Sequence, residues 1–454
     1  LMVDARNENA VLRLRSLKGR EEKPFALMFP NLGSIGECCR ISDLEERLLK
    51  TPESPIVLLR RSNRVSGCHV TTVVAPGNPY LGIMLPYTPL HHLLMAELLM
   101  AVGGHLKNTI AISIGRQAFV SQHIGDLETT QAFKAFRRVG ESFSTLYDFQ
   151  PESVVCDLHP DYHSTKVAEK LGFPLIRVQH HYAHVAACMA ENELEGPLLG
   201  VSWDGTGYGT DDTIWGGEFL RVTESSWRRE AHFRTFRLPG GEKAIKEPRR
   251  AALGLLFEIY GDEAFSMTDI KPVGEFSHRE LDLLKTMVKK GINSPLTSSA
   301  GRLFDAVCAV VGIRQISRFE GQSAMELEFS LHGIQTDDMY KFRIDASQSP
   351  IIVDWEDAFL EIVDDVGRGV PAGLISARFH NGLVEAVVEI AGLIGEKKVI
   401  LTGGCFQNRY LTERAVSRLE TEGFRPYWHQ RIPPNDGGIA LGQIAAASRL
   451  QRRS

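Results

Sequence analysis

The chain has 454 residues, 43% of them hydrophobic and 24% charged, with a net charge of −5. That length predicts two or more domains with substantial cores, and the balance is that of a soluble globular protein. The mildly acidic total offers no surface for a nucleic acid. Seven cysteines (Cys38, Cys39, Cys68, Cys156, Cys188, Cys308 and Cys405) are scattered, odd in number and form no C-x-x-C pair. This pattern argues against a disulfide framework or a structural zinc knuckle and fits a reducing cytoplasm. The longest apolar zone, Leu90 to Gly103, is broken by His91, His92 and Glu97, so no membrane span is expected. The first residues lack a signal-peptide pattern. Leu1-Met2-Val3-Asp4 reads as the interior of a strand, which places an N-terminus further upstream.

Residues 1 to about 100 read as a small mixed α/β unit. Asn9 to Arg20 is helix-like with a basic end, Phe25 to Phe29 and Pro55 to Arg60 are strand-like, and Gly82 to Pro86 follows turn chemistry at Pro76-Gly77-Asn78-Pro79. A hairpin is then expected from Thr109 to Ser113 and Ala118 to His123, turning at Gly115-Arg116, followed by a helix from Thr129 to Tyr147. Val154 to Asp157 is a strand, Tyr162 to Leu171 a helix, Leu175 to Val178 a strand and His181 to Glu191 a helix. The same order starts again with a hairpin of Leu198 to Trp203 and Thr213 to Val222. After a variable middle come a helix at Ala372 to Ile394, a strand at Lys398 to Leu401, a helix at Leu411 to Glu420, a strand at Arg425 to His429 and a helix at Ile439 to Arg449. A duplicated hairpin-then-βα plan predicts two α/β lobes facing each other, as in the actin and sugar-kinase superfamily. The repeat is architectural, without matching residues between the halves.

Chemistry concentrates in a few stretches. In Gln179-His180-His181-Tyr182-Ala183-His184, a helix puts His180 and His184 on one face, about 6 Å apart along the axis, while His181 points off it. Such a pair also occurs as surface or packing histidines, but here it follows an apolar strand at the carboxyl edge of a sheet, where α/β proteins bind ligands. Asp204 in Asp204-Gly205-Thr206-Gly207-Tyr208-Gly209 and Asp436 in Asn435-Asp436-Gly437-Gly438 are the carboxylates that would close a divalent-metal site. The Asp204 stretch reads equally as a hairpin turn or as a loop whose N–H groups approach phosphates without Cβ interference. Thr402-Gly403-Gly404-Cys405-Phe406-Gln407-Asn408 is a tight strand-to-helix turn or a nucleotide-facing one, and the Asp436 loop precedes a helix whose N-terminus favours an anion. Asp305 in Gly301-Arg302-Leu303-Phe304-Asp305, and the basic trio Lys18, Arg20 and Lys23, read by themselves as ordinary solvated residues.

Taken together and in this order, these motifs resemble the HypF family, the carbamoyltransferases of [NiFe]-hydrogenase maturation. Further stretches carry the likeness: Lys23 to Phe29, Leu85 to Leu93, Gly104-His105-Leu106-Lys107-Asn108-Thr109, Ser121 to Leu127, Cys156-Asp157-Leu158-His159-Pro160 and Trp215-Gly216-Gly217-Glu218. The resemblance implies a partial YrdC-like α/β domain at 1–100, forming carbamoyl-adenylate from carbamoyl phosphate and ATP. A TsaD-like domain of the actin and sugar-kinase type would follow at 101–454, with lobes at about 101–195 and 196–454. There the carbamoyl group would pass to the C-terminal cysteine thiol of a HypE-type partner, later to become the cyanide ligand of the hydrogenase iron.

Position by position, the likeness makes His180, His184, Asp204 and Asp436 the ligands of a divalent metal, zinc or iron(II). It puts Asp305, Asn408, Gly403 and Gly404, with Lys107, Asn108, Gly205 and Gly207, at the nucleotide. Lys18, Arg20 and Lys23 become the segment facing ATP and its magnesium. No residue of this chain is needed as nucleophile, Cys405 included. Two features of the family find no counterpart: its acylphosphatase-like and zinc-finger segments, and the Ser-Gly-Asn loop expected after Leu99, where Leu98-Leu99-Met100 runs straight into Ala101-Val102-Gly103. The competing readings are a small-molecule kinase of the actin superfamily, and a nucleotide-gated binding protein of the Hsp70 kind.

Overall fold

In the computed structural model, residues 2–62, 68–87, 98–114, 117–147, 150–224 and 226–451 are described. The expected turn at Gly115-Arg116 and the Thr88-to-Leu93 part of the motif at 85–93 lie outside them.

The first unit is built on a four-stranded sheet of β1 (Ala26–Met28), β2 (Cys39–Arg40), β3 (Val57–Arg61) and β4 (Tyr80–Met84), in the order β1-β4-β3-β2. Val11, Leu27, Ile35, Leu59, Leu81 and Ile83 form its core. The helix Glu8–Lys18 is capped by Asn7 at one end and by left-handed Gly19 at the other. Residues 2–4 form no strand, contrary to the sequence reading; the Asp4 carboxylate instead holds Arg6. A second correction concerns the cysteines. Cys38 and Cys68 are joined in a disulfide, with Cα atoms 4.8 Å apart, while the other five are free. Antiparallel pairing of β2 with β3 returns the chain towards Cys38, a proximity that spacing alone does not reveal.

The rest of the chain is two sheets. The smaller comprises β5 (Leu99–Ala101), β6 (Ala111–Ile114), β7 (Gln117–Val120), β8 (Ser153–Asp157) and β9 (Leu175–Val178), in the order β7-β6-β5-β8-β9. The larger begins with β10 (Leu198–Tyr208), β11 (Ile214–Val222), β12 (Trp227–Phe233) and β13 (Phe236–Arg237). It continues with β14 (Leu296–Thr297), β15 (Arg343–Asp345), β16 (Ile351–Asp354), β17 (Lys398–Thr402) and β18 (Arg425–Trp428), along the path β15-β16-β12-β11-β10-β17-β18. Each sheet opens on antiparallel hairpin strands and continues into parallel βα units. This is the doubling expected from the sequence.

Two helices, His180–Glu191 and Ile439–Gln451, lie between the sheets. Tyr182, Ala183, Val185, Ala186, Cys188 and Met189 pack with Ile439, Ala440, Ile444 and Ala447. The same core takes in Leu99, Ala101 and Val155 from the smaller sheet and Leu198, Leu220 and Ile400 from the larger. The two helices touch closely: a Cβ placed on Gly442 would lie 1.9 Å from the Ala183 carbonyl oxygen. The last helix also packs on β5, β6 and β8, and the Gln443 amide is bonded to both the N–H and the C=O of Gly103.

A polar clamp secures the far end of this layer. The Glu191 carboxylate, 2% exposed, accepts from the N–H groups of Gln430, Arg431 and Ile432 and pairs with His429. Burial alone would raise its pKa; the Arg431 and Gln430 N–H groups and His429 outweigh that and hold it below the ordinary glutamate value.

Two outcomes are expected. Gly442→Val forces the two helices apart and should destabilise the protein by about 1–3 kcal/mol in denaturant titration. Glu191→Gln should lower the melting temperature at neutral pH. Because the folded pKa is depressed, the stabilisation is complete above the ordinary value of 4.5 and is lost as the pH falls through the lower folded value. Wild type and variant should therefore converge in acid when melting is followed against pH.

Candidate metal centre and nucleotide cleft

The helix of the histidine pair begins where β9 ends, with Gln179 as N-cap accepting from the Tyr182 N–H. His180 and His184 therefore occupy its first two turns, both essentially without solvent exposure. Asp204 sits where β10 departs from its partner: Trp203 faces Gly217 and Gly207 faces Trp215, so residues 204–206 bulge out of the ladder. Asp436 opens a short turn whose Asn435 side chain accepts from the Gly437 N–H, directly before the last helix.

These four residues meet. His180 Nε2 is 3.5 Å from Asp204 Oδ2 and 3.6 Å from Asp436 Oδ1; His184 Nε2 is 3.4 Å and 3.7 Å from the same two oxygens. One ligand atom from each residue lies within 4.8 Å of every other. Both Nε2 atoms are buried without a hydrogen-bond partner. Two orphaned imidazole nitrogens and two carboxylates converging on one small space have the donor chemistry of a divalent cation with borderline ligand preference. His181 is outside the quartet; its Nδ1 lies 3.3 Å from the Gln179 amide and its ring is against Trp215.

Sequence reasoning missed the support. Asp157, at the end of β8 and wholly buried, places Oδ2 2.8 Å from His180 Nδ1. A proton on Nδ1 shared with Asp157 leaves the Nε2 lone pair free to face the quartet. Its other oxygen accepts from the His159 N–H. The available signal was an acidic residue closing an apolar strand, Ser153-Val154-Val155-Cys156-Asp157. Asp204 is likewise fixed on its second oxygen, Oδ1, by the Gly404 N–H at 3.0 Å. Electrostatics follow this packing: burial alone would depress the His180 pKa, but Asp157 and Asp436 raise it well above its ordinary value. His181 has no such partner and is held low by burial.

The glycines around Asp204 divide into two kinds. A Cβ at Gly207 would fall 2.5 Å from His181 Cε1 and 2.9 Å from His180 Cδ2, so this position is bare because imidazoles press on it. Gly205 instead faces charged groups, Arg302 Nη2 and Glu320 Oε1, each 3.6 Å from where its Cβ would be. Lys107, in the left-handed region at φ 46°, reaches Glu320 with Nζ at 2.6 Å. Asp305 is buried, accepts from the Ser323 hydroxyl and pairs with Arg302 at 3.1 Å; burial raises its pKa in spite of Arg302.

Two asparagines are committed within the fold. Asn108 donates to the Val102 and Gly104 carbonyls, shaping the loop whose Gly104 faces Asp436. Asn408 caps the helix Arg409–Thr421 through the Leu411 N–H and meets His380 Nε2 at 2.8 Å. In the first unit Lys18 and Lys23 are exposed and Arg20 half-buried. Another residue missed by sequence reasoning, the buried Arg15, gathers the carbonyls of Arg20, Glu21 and Lys23 and of Val73 and Val74.

A pair of α/β lobes with an imidazole–carboxylate site between them defines the class: a two-lobed enzyme domain of the Kae1-like kind. Family models agree. That of the HypF Kae1-like domain matches residues 95–191, and that of the carbamoyltransferase Kae1-like domain, second subdomain, matches 200–443. The Sua5/YciO/YrdC model, whose description reads telomere recombination, matches 1–122. Carbamoyltransferase HypF of Synechocystis sp. is 36% identical, over 98% of this chain and 70% of its own length. That of Rhizobium leguminosarum bv. viciae is 32% identical, over 99% and 69%. The crystal structure of full-length HypF in a phosphate- and nucleotide-bound form superposes with a TM-score of 0.74 at 34% identity, covering 99% of this chain and 69% of that one. T. kodakarensis HypF gives 0.71 at 24%, covering 99% and 70%.

The chain belongs to the HypF carbamoyltransferase family. Its alignment with the Synechocystis protein runs to 540 positions against 454 residues here, so that relative carries stretches opposite gaps in this chain. Among the described residues no helix is long and apolar enough to cross a membrane.

The geometry makes Asp157 a test of the metal reading. Asp157→Ala should weaken zinc or iron(II) binding about 10- to 100-fold in a chelator competition. His184→Ala should abolish it. Unaltered affinity in both would refute the assignment.

Proposed function

We propose that this chain transfers a carbamoyl group from carbamoyl-adenylate to the C-terminal cysteine thiol of a HypE-type partner in the cytoplasm, the adenylate being made from carbamoyl phosphate and ATP. One observation carries the reading: two imidazoles and two carboxylates converge beside the glycine turns at 204–207 and 403–404, in a chain of the HypF family. A kinase reading gives the imidazole pair no task, since phosphoryl transfer draws its magnesium chiefly through phosphates.

In this reading zinc or iron(II) is held by His180, His184, Asp204 and Asp436, and supplies Lewis acidity when bound. Asp157 and the Gly404 N–H keep two of those ligands in orientation. The nucleotide lies against Gly403, Gly404, Asp305, Gly205 and Lys107, whereas the space at Gly207 is filled by the imidazoles and the Asn108 and Asn408 amides are engaged within the fold. N–H groups of the glycine turns meet the charge that develops on the reacting oxygen. The partner's thiolate forms the new S–C bond to the carbamoyl carbon while the bond from that carbon to the phosphate oxygen breaks and AMP leaves with the electron pair. Cys405 takes no part; burial drives its thiol well above the ordinary pKa. In the first unit Lys18, Arg20 and Lys23 face ATP and its magnesium, on the scaffold that Arg15 ties together.

Incubation with ATP, magnesium, carbamoyl phosphate and a HypE-type protein should give AMP and a partner heavier by one carbamoyl group on its terminal cysteine. His184→Ala should lose at least about 100-fold in rate together with its metal. ADP in place of AMP would favour the kinase, and tail binding without turnover the binding protein.

A further inference from the structure

Arg302 has no task in the reading above. It is the third residue of the helix Ala300–Val311 and is 3% exposed. Ser299 caps that helix by accepting from the Arg302 N–H, and its hydroxyl lies within hydrogen-bond distance of the Asp204 and Gly205 carbonyls, at 3.0 and 2.6 Å. The helix N-terminus is thereby buttoned to the Asp204 loop. The Arg302 guanidinium makes one ion pair, Nη2 to Asp305. Nε and Nη1 are buried and have no hydrogen-bond partner. A buried cation with two unpartnered nitrogens is costly unless an anion completes it. The guanidinium lies beside the Asp204 loop: Nη2, the atom paired with Asp305, is 3.6 Å from where a Gly205 Cβ would be, as is Glu320 Oε1. A planar fork beside a helix N-terminus matches the oxygens of a phosphate group.

We propose that Arg302 binds the phosphoryl group of the nucleotide in this cleft, Asp305 holding one edge of the guanidinium so that the remaining N–H groups face the phosphate oxygens. The assignment rests on the cleft being the nucleotide site of the proposed function. It adds a specific consequence: the cleft selects a 5′-phosphorylated nucleoside over the nucleoside itself, and Arg302 provides the selection.

The test is calorimetric binding of AMP and of adenosine to the full chain, which needs no turnover and no partner. Wild type should prefer AMP. Arg302→Gln should weaken AMP about 10- to 100-fold while adenosine binding is unchanged. Arg302→Lys keeps the charge without the fork and serves where the glutamine variant does not fold; it should lose part of the preference. An unchanged AMP-to-adenosine ratio in a folded variant overturns the proposal, as does a parallel loss for both ligands, or a wild type without preference. In crystals soaked with AMP, a phosphate more than a hydrogen-bond length from the guanidinium would overturn it as well. Failure of carbamoyl transfer with the AMP preference intact would instead count against the proposed reaction.

Discussion

The structure turns on charge compensation in a closed space. Asp204 and Asp436 bring two carboxylates into a region that water barely reaches, and the two imidazoles facing them have buried, unpartnered nitrogens. Like charges so placed repel strongly unless cations or protons intervene. The surrounding contacts hold that confrontation together. Helix 180–191 is pressed between two sheets, the last helix lies against it, and Glu191 fastens the 430–432 segment that leads to Asp436. The quartet is thus assembled by an apolar layer of helices, with the Glu191 carboxylate fastening its far end.

Support extends one layer out on both sides. Asp157 belongs to the smaller sheet and orients an imidazole; Gly404 belongs to the turn after β17 and orients a carboxylate. Each of these partners lies at the carboxyl end of a parallel strand, the edge at which α/β architectures place ligands. The hairpin bulge at 204–206 supplies what a parallel strand does not, an acidic residue pushed out of the ladder and across the interface.

Much of this was legible in the sequence. The spacing of His180 and His184, the strand before them and the two aspartates in glycine-rich loops pointed to the quartet, and the two-sheet doubling followed from the order of elements. Strand and helix periods survive there because the segments are well buried on predictable faces. What escaped depends on distance in space. The role of Asp157 needs the neighbouring strand β9 to deliver His180 beside it, and Asp305 reads as a solvated helical carboxylate until Ser323 and Arg302 are folded around it. The Cys38–Cys68 bridge depends on strand pairing. The three glycines of the Asp204 stretch look equivalent in sequence, yet Gly207 and Gly209 make room for His180, His181 and Trp215, and Gly205 is the one beside charge. Asn108 and Asn408 show the reverse: side chains that look free to reach a ligand turn inward, Asn108 Nδ2 to the Val102 and Gly104 carbonyls and Asn408 to the Leu411 N–H and His380.

Asp204 is shared property. One oxygen points at the imidazoles and the other is tethered to the 403–408 turn. A ligand that displaces that turn therefore also displaces a member of the quartet, and thermodynamic reciprocity requires the effect to run equally in the other direction. The tie has company: the Gly403 N–H donates to the Pro434 carbonyl on the loop that carries Asp436, and the Thr402 hydroxyl to the His184 carbonyl, so the end of β17 and the turn after it are fastened to the carriers of the quartet at three points.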